Sequence, residues 1–366
     1  MWWAAPYTTA GALAPGTSPL IQCVLNRDDQ IFVTGGTGFI GSYLLRYLVR
    51  EGYRNIRAVR RAGSDMTLAA PVADKVEWVK GDIRDIFFLE DGMQNARWVF
   101  HCAAQLSFQP REVKEMMQIN VEGTANVVNT ALFAGVEKLV HVSSIEAVGR
   151  SKNGATLREN NIWQRSRFNT NYAVSKFLGE QEVWRAAAEG LTTAVVNPAV
   201  VLGGGRWEDG PLQFFRLAWN NFPLYPAGAS GFVDVRDVAR FMVHLMESQI
   251  NGERFLLSAE NMSYQLLMER LAHYLDRRPP GICLQPWMQG LAWRLSWLQR
   301  RLSSRPSPIT RETALIASST FFIDPSKSRS ALDFDYLPIE ETLAATAQRF
   351  REAAQNDFAP RLLPLV

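Results

Sequence analysis

Cysteine is scarce in this chain. There are three in 366 residues (Cys23, Cys102 and Cys283), odd in number and widely spaced. They define neither a disulfide framework nor a zinc site, and they point to a reducing, cytoplasmic setting. Histidine is almost as sparse: His101, His141, His244 and His273 lack metal-ligand spacing, so no metal is expected. Strands 101 and 141 fall in are ones where core histidines with satisfied ring nitrogens are the ordinary case. Long apolar runs are missing as well. No stretch approaches the ~20 apolar residues a membrane-spanning helix requires. The opening MWWAAPYTTAGALAPGTSPLIQ lacks the basic start and continuous apolar run of a secretory signal. Residues 1–28 read as a flexible tail. Charge of one sign is also absent: the formal net charge is +3, with no long Lys/Arg run, which excludes nucleic acid as the expected partner. What is left, 47% hydrophobic and 20% charged residues, suits a well-packed protein of one large domain or two smaller ones.

From Gln30 onward strands and helices alternate. QIFVT, NIRAVR, KVEWVKGD, ARWVFHCAA, VEKLVHVSS and LTTAVVNPAVVLG read as strands. Helical spacing fills SYLLRYLVREG, 83–91, 111–134 and 170–189. GFVDVRDVARFMVHLM suggests a turn or short strand leading into a helix, and RFLLSA a last strand. This order indicates a parallel sheet with helices on both faces, which binds ligands beyond the carboxyl ends of its strands. Suggestive residues sit at those ends: Gly35, Asp82, Ala103, Ser144 and Asn197.

TGGTGFIG places Gly35, Gly38 and Gly41 between a strand and a helix. Such a turn lets the backbone approach a pyrophosphate, and the helix start offers free N–H groups and a positive dipole end. The expected contacts include Thr37, Phe39 and Ile40 in that turn. An acid near position 60 would bond the ribose of NAD. The chain instead has Arg60, with Arg61 and Ser64 nearby, so NADP(H) is favoured over NAD(H), because a guanidinium grips a 2′-phosphate. Asp82 can accept from the adenine amino group or cap a helix, with Ile83 beside it.

Tyr172 and Lys176 stand one turn apart on the same face of the helix 170–189. The chain resembles the extended short-chain dehydrogenase/reductase family through TGGTGFIG, GDIRD, HCAA, NVEGTANVV, VSSIEAVG, YAVSK, NPAVVLG and FVDVRDVA, in that order over 34–240. The resemblance implies a Rossmann-type doubly wound parallel sheet with a smaller, mainly helical C-terminal substrate domain. It also implies Tyr172 as the acid/base, Lys176 as its partner on the nicotinamide ribose, and Ser144 as the group orienting a carbonyl. Ser143 would contact the nicotinamide, while Ala103, Ala104 and Asn197 would join the cofactor contacts. Asn120 would support the lysine through water or serve helix packing. An ammonium ~4 Å from the phenol, at an effective dielectric near 20, would favour the phenolate by roughly 4 kcal/mol. The phenol's pKa is therefore expected to fall toward the working range of an acid/base group.

Within this family the Asn-Pro strand and IRAVRR resemble the dihydroflavonol-reductase and 3β-hydroxysteroid-dehydrogenase branch. Residues 211–228 form an aromatic stretch that suits an apolar ketone or alcohol, or else the second domain's core. The expected activity is an NADP(H)-dependent oxidoreductase acting on an apolar small molecule. The alternatives are a sugar-nucleotide epimerase or dehydratase and a non-catalytic dinucleotide-binding protein. Dehydration has Glu146 in its favour and Ile145, where a second acid is wanted, against it. The basic amphipathic stretch 287–305 is a candidate for peripheral membrane contact or for a cover over the cleft. A homodimer would follow the habit of the family. The expected division is a dinucleotide domain over 29–202 plus 231–259 and a substrate region over 203–230 plus 260–366.

Overall fold

The computed structural model describes residues 26–149, 156–166, 169–284 and 318–366, together with positions 288 and 312. Most of the expected tail and nearly all of 287–305 lie outside the described residues. Of the tail, Arg27 and Asp28 are described, and they pair with Glu247 and Arg54.

In the first half, β1 (Ile31–Thr34), α1 (Phe39–Arg50), β2 (Ile56–Arg60), β3 (Glu77–Lys80), α2 (Ile86–Gly92) and β4 (Trp98–His101) follow in turn. The chain continues through α3 (Val113–Met117), α4 (Gly123–Phe133), β5 (Lys138–Val142), α5 (Asn171–Ala188) and β6 (Thr192–Pro198). Next come β7 (Val200–Leu202), α6 (Gln213–Trp219), β8 (Leu224–Pro226), β9 (Ala229–Asp234), α7 (Val235–Glu247) and β10 (Glu253–Leu257). The last elements are β11 (Glu260–Ser263), α8 (Tyr264–Leu275), β12 (Ile282–Leu284), α9 (Ser326–Ala331) and α10 (Ile339–Ala354).

Seven strands form one parallel sheet in the order β10-β6-β5-β4-β1-β2-β3. Strand order reverses between β1 and β4, whose ends are matched at Thr34 and His101, and that is where a crevice opens. The strands are apolar on both faces because helices cover both. Tyr43, Leu44 and Leu48 of α1 and Phe241 and Met242 of α7 bury one face. Leu89 of α2, Val127 of α4 and Val183 of α5 bury the other. Each such side chain contributes roughly 1.5–3 kcal/mol on leaving water.

The smaller region adds a three-stranded sheet, β11-β9-β7, and the pair β12-β8 to its helices. Trp207, Phe215, Phe232, Leu267, Leu343 and Phe350 make its core. Three readings change in detail. LTTAVVNPAVVLG is two strands, since Pro198 has no N–H to continue the ladder and Ala199 turns its N–H to Leu257 O at 2.9 Å. Helix α2 starts at Ile86, three residues late, because Asp85 caps it by accepting from Phe88 N at 3.2 Å. The helix expected over 111–134 contains a π-helical turn at Gln118–Glu122.

Candidate active site

Gly35 leaves β1 with a φ of +71°, and a Cβ there would lie 2.6 Å from the Ala103 nitrogen. The ends of β1 and β4 therefore meet through bare backbone, which only glycine permits. A Cβ at Gly41 would strike the Gly35 carbonyl at 2.2 Å, so α1 can close onto the turn. Gly38 caps α1 with extended backbone and no side-chain bond, so among the described residues no side chain is seen to cap its first N–H groups. Thr37, Gly38, Phe39 and Ile40 are all half-buried around this helix start. A cradle of this shape, dipole end included, fits a pyrophosphate.

At the far end of the crevice, Arg60 ends β2 with its guanidinium in no hydrogen bond or ion pair among the described residues. The Arg61 guanidinium is likewise in none among the described residues, whereas Arg57 pairs with Glu77, Arg84 with Asp82 and Arg206 with Asp65. Ser64 accepts from the Arg61 N–H at 2.9 Å. Asp82 does not cap α2; its carboxylate holds Arg84 at 3.0 and 2.7 Å, which lowers its pKa. Ile83 buries its side chain in the core, over Gly123, and its carbonyl accepts from Asn126. Ala103 keeps its N–H on Thr34 Oγ1 at 3.3 Å, and Ala104 is exposed.

Three elements bring the acid/base candidates together. Thr170 caps α5 by accepting from Ala173 N at 3.0 Å, which fixes Tyr172 in the first turn. Ser144, just past β5, accepts from Glu146 N at 3.2 Å and starts a short 3₁₀ turn ending at Gly149, whose φ is +90°. The Ser144 hydroxyl is in hydrogen-bonding contact with the Tyr172 phenol. Lys176 is buried and donates to the Val142 carbonyl at 2.8 Å. Ser143 is buried with its hydroxyl unpartnered, as expected of a group waiting for a ligand.

The electrostatics differ from the sequence expectation. Burial pushes the Tyr172 phenol up to about 12; the Ser144 bond opposes this and the Glu146 carboxylate adds to it. Lys176, whose ammonium donates to a carbonyl at the end of β5, is not among the groups that shift the phenol. Burial pulls Lys176 itself down to about 8, against the pull of Glu180. Desolvation outweighs pairing for both groups, yet a lysine at about 8 stays mostly charged at neutral pH.

Asn197 and Asn120 hold this arrangement. Asn197 donates to the Ser144 carbonyl at 2.9 Å and to the buried Glu180 at 2.8 Å. Glu180 in turn binds Arg254 at 3.1 Å. The amide group of Asn197 is therefore spent on scaffold, while its oxygen stays buried and unpartnered. Asn120 donates to Gln105 O and Ser175 Oγ, both at 2.9 Å, and accepts from Gln105 N at 2.7 Å, tying the loop after β4 to α5. His101 is satisfied by Thr34 and Thr124 at 2.7 and 3.0 Å, whereas His141 is buried with both ring nitrogens unpartnered.

One aromatic ring stands beside the phenol, and others pack nearer the smaller region's core. Phe108 meets Tyr172 edge-on at 6.1 Å, and Tyr264, bonded to Ser230, faces Phe214 at 5.5 Å. The aromatic stretch 211–228 divides: Phe214 faces Tyr264, whereas Phe215 and Trp219 pack on Phe350 as core. Arg216 pairs with Glu208. Phe108 carries no motif that would have marked it, because only the fold brings it to Tyr172.

A doubly wound sheet with a glycine cradle at its switch point defines a dinucleotide-binding protein. A model of the NAD dependent epimerase/dehydratase family matches residues 31–257, and the chain belongs to that family. It is 30% identical, over 88% of this chain and 95% of the other, to a provisionally named dihydroflavonol 4-reductase of Synechocystis. It is 31% identical, over 87% and 98%, to sterol demethylase protein B of Methylococcus capsulatus. The crystal structure of gox2253 superposes with a TM-score of 0.76 at 29% identity, over 90% of this chain and 99% of that one.

Proposed function

We propose that the protein interconverts a ketone and a secondary alcohol on an apolar small molecule, using NADP(H). The observation that carries this reading is the contact between Ser144 and Tyr172, beside the unpartnered Ser143 hydroxyl at the end of β5. When bound, the nicotinamide supplies or accepts the hydride. A phenol at about 12 is fully protonated at neutral pH, so Tyr172 enters a reduction ready to give its proton to the carbonyl oxygen. Ser144 orients that oxygen and donates to it as charge develops. Lys176 holds positive charge at the floor of the site. The free Arg60 guanidinium favours a 2′-phosphate. Phe108, Phe214 and Tyr264 favour an apolar ring system. Dehydration fits less well, because the position of the second acid is held by Ile145, packed in an apolar cluster.

The test is a titration with NADPH and NADH, followed by absorbance at the NADPH band with planar ketones and steroid-like substrates. Consumption of NADPH by ketones is expected. Turnover of sugar nucleotides without net cofactor use would replace this reading with an isomerase or lyase. Tight cofactor binding with no turnover, unaltered by Tyr172→Phe, would leave a dinucleotide sensor.

A further inference from the structure

Residues Ala359–Leu365 form no helix or strand and are far in sequence from α1, yet they bond to it. Leu363 is fully buried. Its N–H donates to the Tyr43 hydroxyl at 2.7 Å, and that same hydroxyl donates to the Gly204 carbonyl at 2.9 Å. One buried hydroxyl thus joins α1, the loop after β7 and this late segment. Arg46 donates to Leu363 O at 2.8 Å, and Arg236 to Pro364 O at 3.3 Å. The fit to the loop is backbone on backbone, since a Cβ at Gly204 would lie 2.3 Å from the Arg361 carbonyl. Trp207, at the end of the same loop, donates to Ala359 O at 3.2 Å.

The held loop borders the dinucleotide crevice at both ends. A Cβ at Gly205 would touch the Phe39 ring at 3.1 Å, and Phe39 is the first residue of α1, directly after the Gly38 cap. Phe39 also meets Tyr43 edge-on at 6.0 Å. Next in the loop, Arg206 binds Asp65 at 2.8 Å, in the turn that follows Arg60, Arg61 and Ser64. The loop therefore braces the helix start that would face the pyrophosphate and the turn that would face the adenosine.

We propose that Ala359–Leu365 is a strap that sets dinucleotide affinity, with Tyr43 and Leu363 as positioning residues that hold the Gly204 loop against Phe39. This rests on the family's dinucleotide site and not on the ketone-reductase reading. Without the strap, the loop and the first turn of α1 would have to be ordered by the ligand, at the expense of its binding free energy.

The experiment is a fluorescence titration of the full chain with NADPH and no second substrate, so the result is independent of which reaction the protein performs. Tyr43→Phe removes the bridging hydroxyl, and Arg46→Met removes a strap bond while leaving Tyr43 in place. Tyr53→Phe loses a hydroxyl bond to Glu247 beyond the other end of α1 and serves as the stability control. In folded Tyr43→Phe or Arg46→Met, Kd for NADPH is expected to rise about tenfold, which corresponds to 1.4 kcal/mol. Amide exchange at residues 38–42 is expected to quicken, while Tyr53→Phe changes neither. Values of Kd within twofold of the parent in the folded strap variants would overturn the proposal. So would an equal rise in Tyr53→Phe.

Discussion

Lys176 offers a sharp test, because the site keeps it at a cost to stability. Burial pulls its pKa from an ordinary value of 10.5 to about 8. At 1.36 kcal/mol for each pH unit, that drop corresponds to about 3 kcal/mol of penalty on the buried charge. The penalty is fully present below pH 8, where folded and unfolded chains both hold the proton. Between 8 and 10.5 the unfolded chain binds more protons, so stability rises with pH across that window. Lys176→Met removes the penalty and also the bond to Val142 O, a loss of about 1 kcal/mol. The variant is therefore expected to be about 2 kcal/mol more stable than the parent at pH 7, with the advantage shrinking above pH 8. Chemical denaturation at pH 7 and pH 9.5 measures both numbers. In the same variant the proposed turnover should fall by at least a hundredfold. A variant less stable than the parent at pH 7 would refute the reasoning, since the lysine would then be a structural asset rather than a functional charge.

Arg60→Glu should turn the cofactor preference from NADPH toward NADH, weakening NADPH by about 10- to 100-fold, as read from the two dissociation constants. Glu180→Gln should cost about 3 kcal/mol in denaturant unfolding, because Arg254 loses its buried partner. It should also slow turnover, since the Glu180–Asn197 link steadies the Ser144 backbone. Asp237 is pushed up to about 7 by burial first and then by the Asp234 carboxylate. The unfolded chain loses that proton first, near 3.8, so its contribution to stability falls as pH rises from about 4 to 7. The difference in Tm between the parent and Asp237→Asn, followed from pH 4.5 to 8, should show that slope, and a flat difference would contradict it.

Much of the dinucleotide half was legible because its signals are local. Gly35, Gly38 and Gly41 sit where a strand must turn into a helix with no room for Cβ atoms, and that constraint is written in consecutive residues. Strand runs such as Ile31–Val33 in β1 and Trp98–Phe100 in β4 announce burial on both faces through unbroken apolar sequence. The spacing of Tyr172 and Lys176 was readable, but the direction of the lysine was not. Its bond to Val142 depends on how α5 lies over β5. Asn197 was visible as a residue at a strand end, yet its partner Glu180 comes from another element, so its scaffold role was hidden. The same holds for Phe108, which meets Tyr172 from the loop after β4. The aromatic stretch stayed open to two readings because a ring in a pocket wall and a ring in a core have the same sequence signature. Packing puts Phe215 wholly in the core and Phe214 partly buried against it.

The most direct measurement is the rate of NADPH oxidation by a ketone substrate in Tyr172→Phe, with Kd for NADPH measured on the same protein. The phenyl ring keeps the shape and loses only the proton donor. The account predicts unchanged cofactor binding and a rate lowered by about 10²–10⁴-fold, the usual contribution of a positioned general acid. Oxidation within a few-fold of the parent rate, with cofactor still bound, would contradict it.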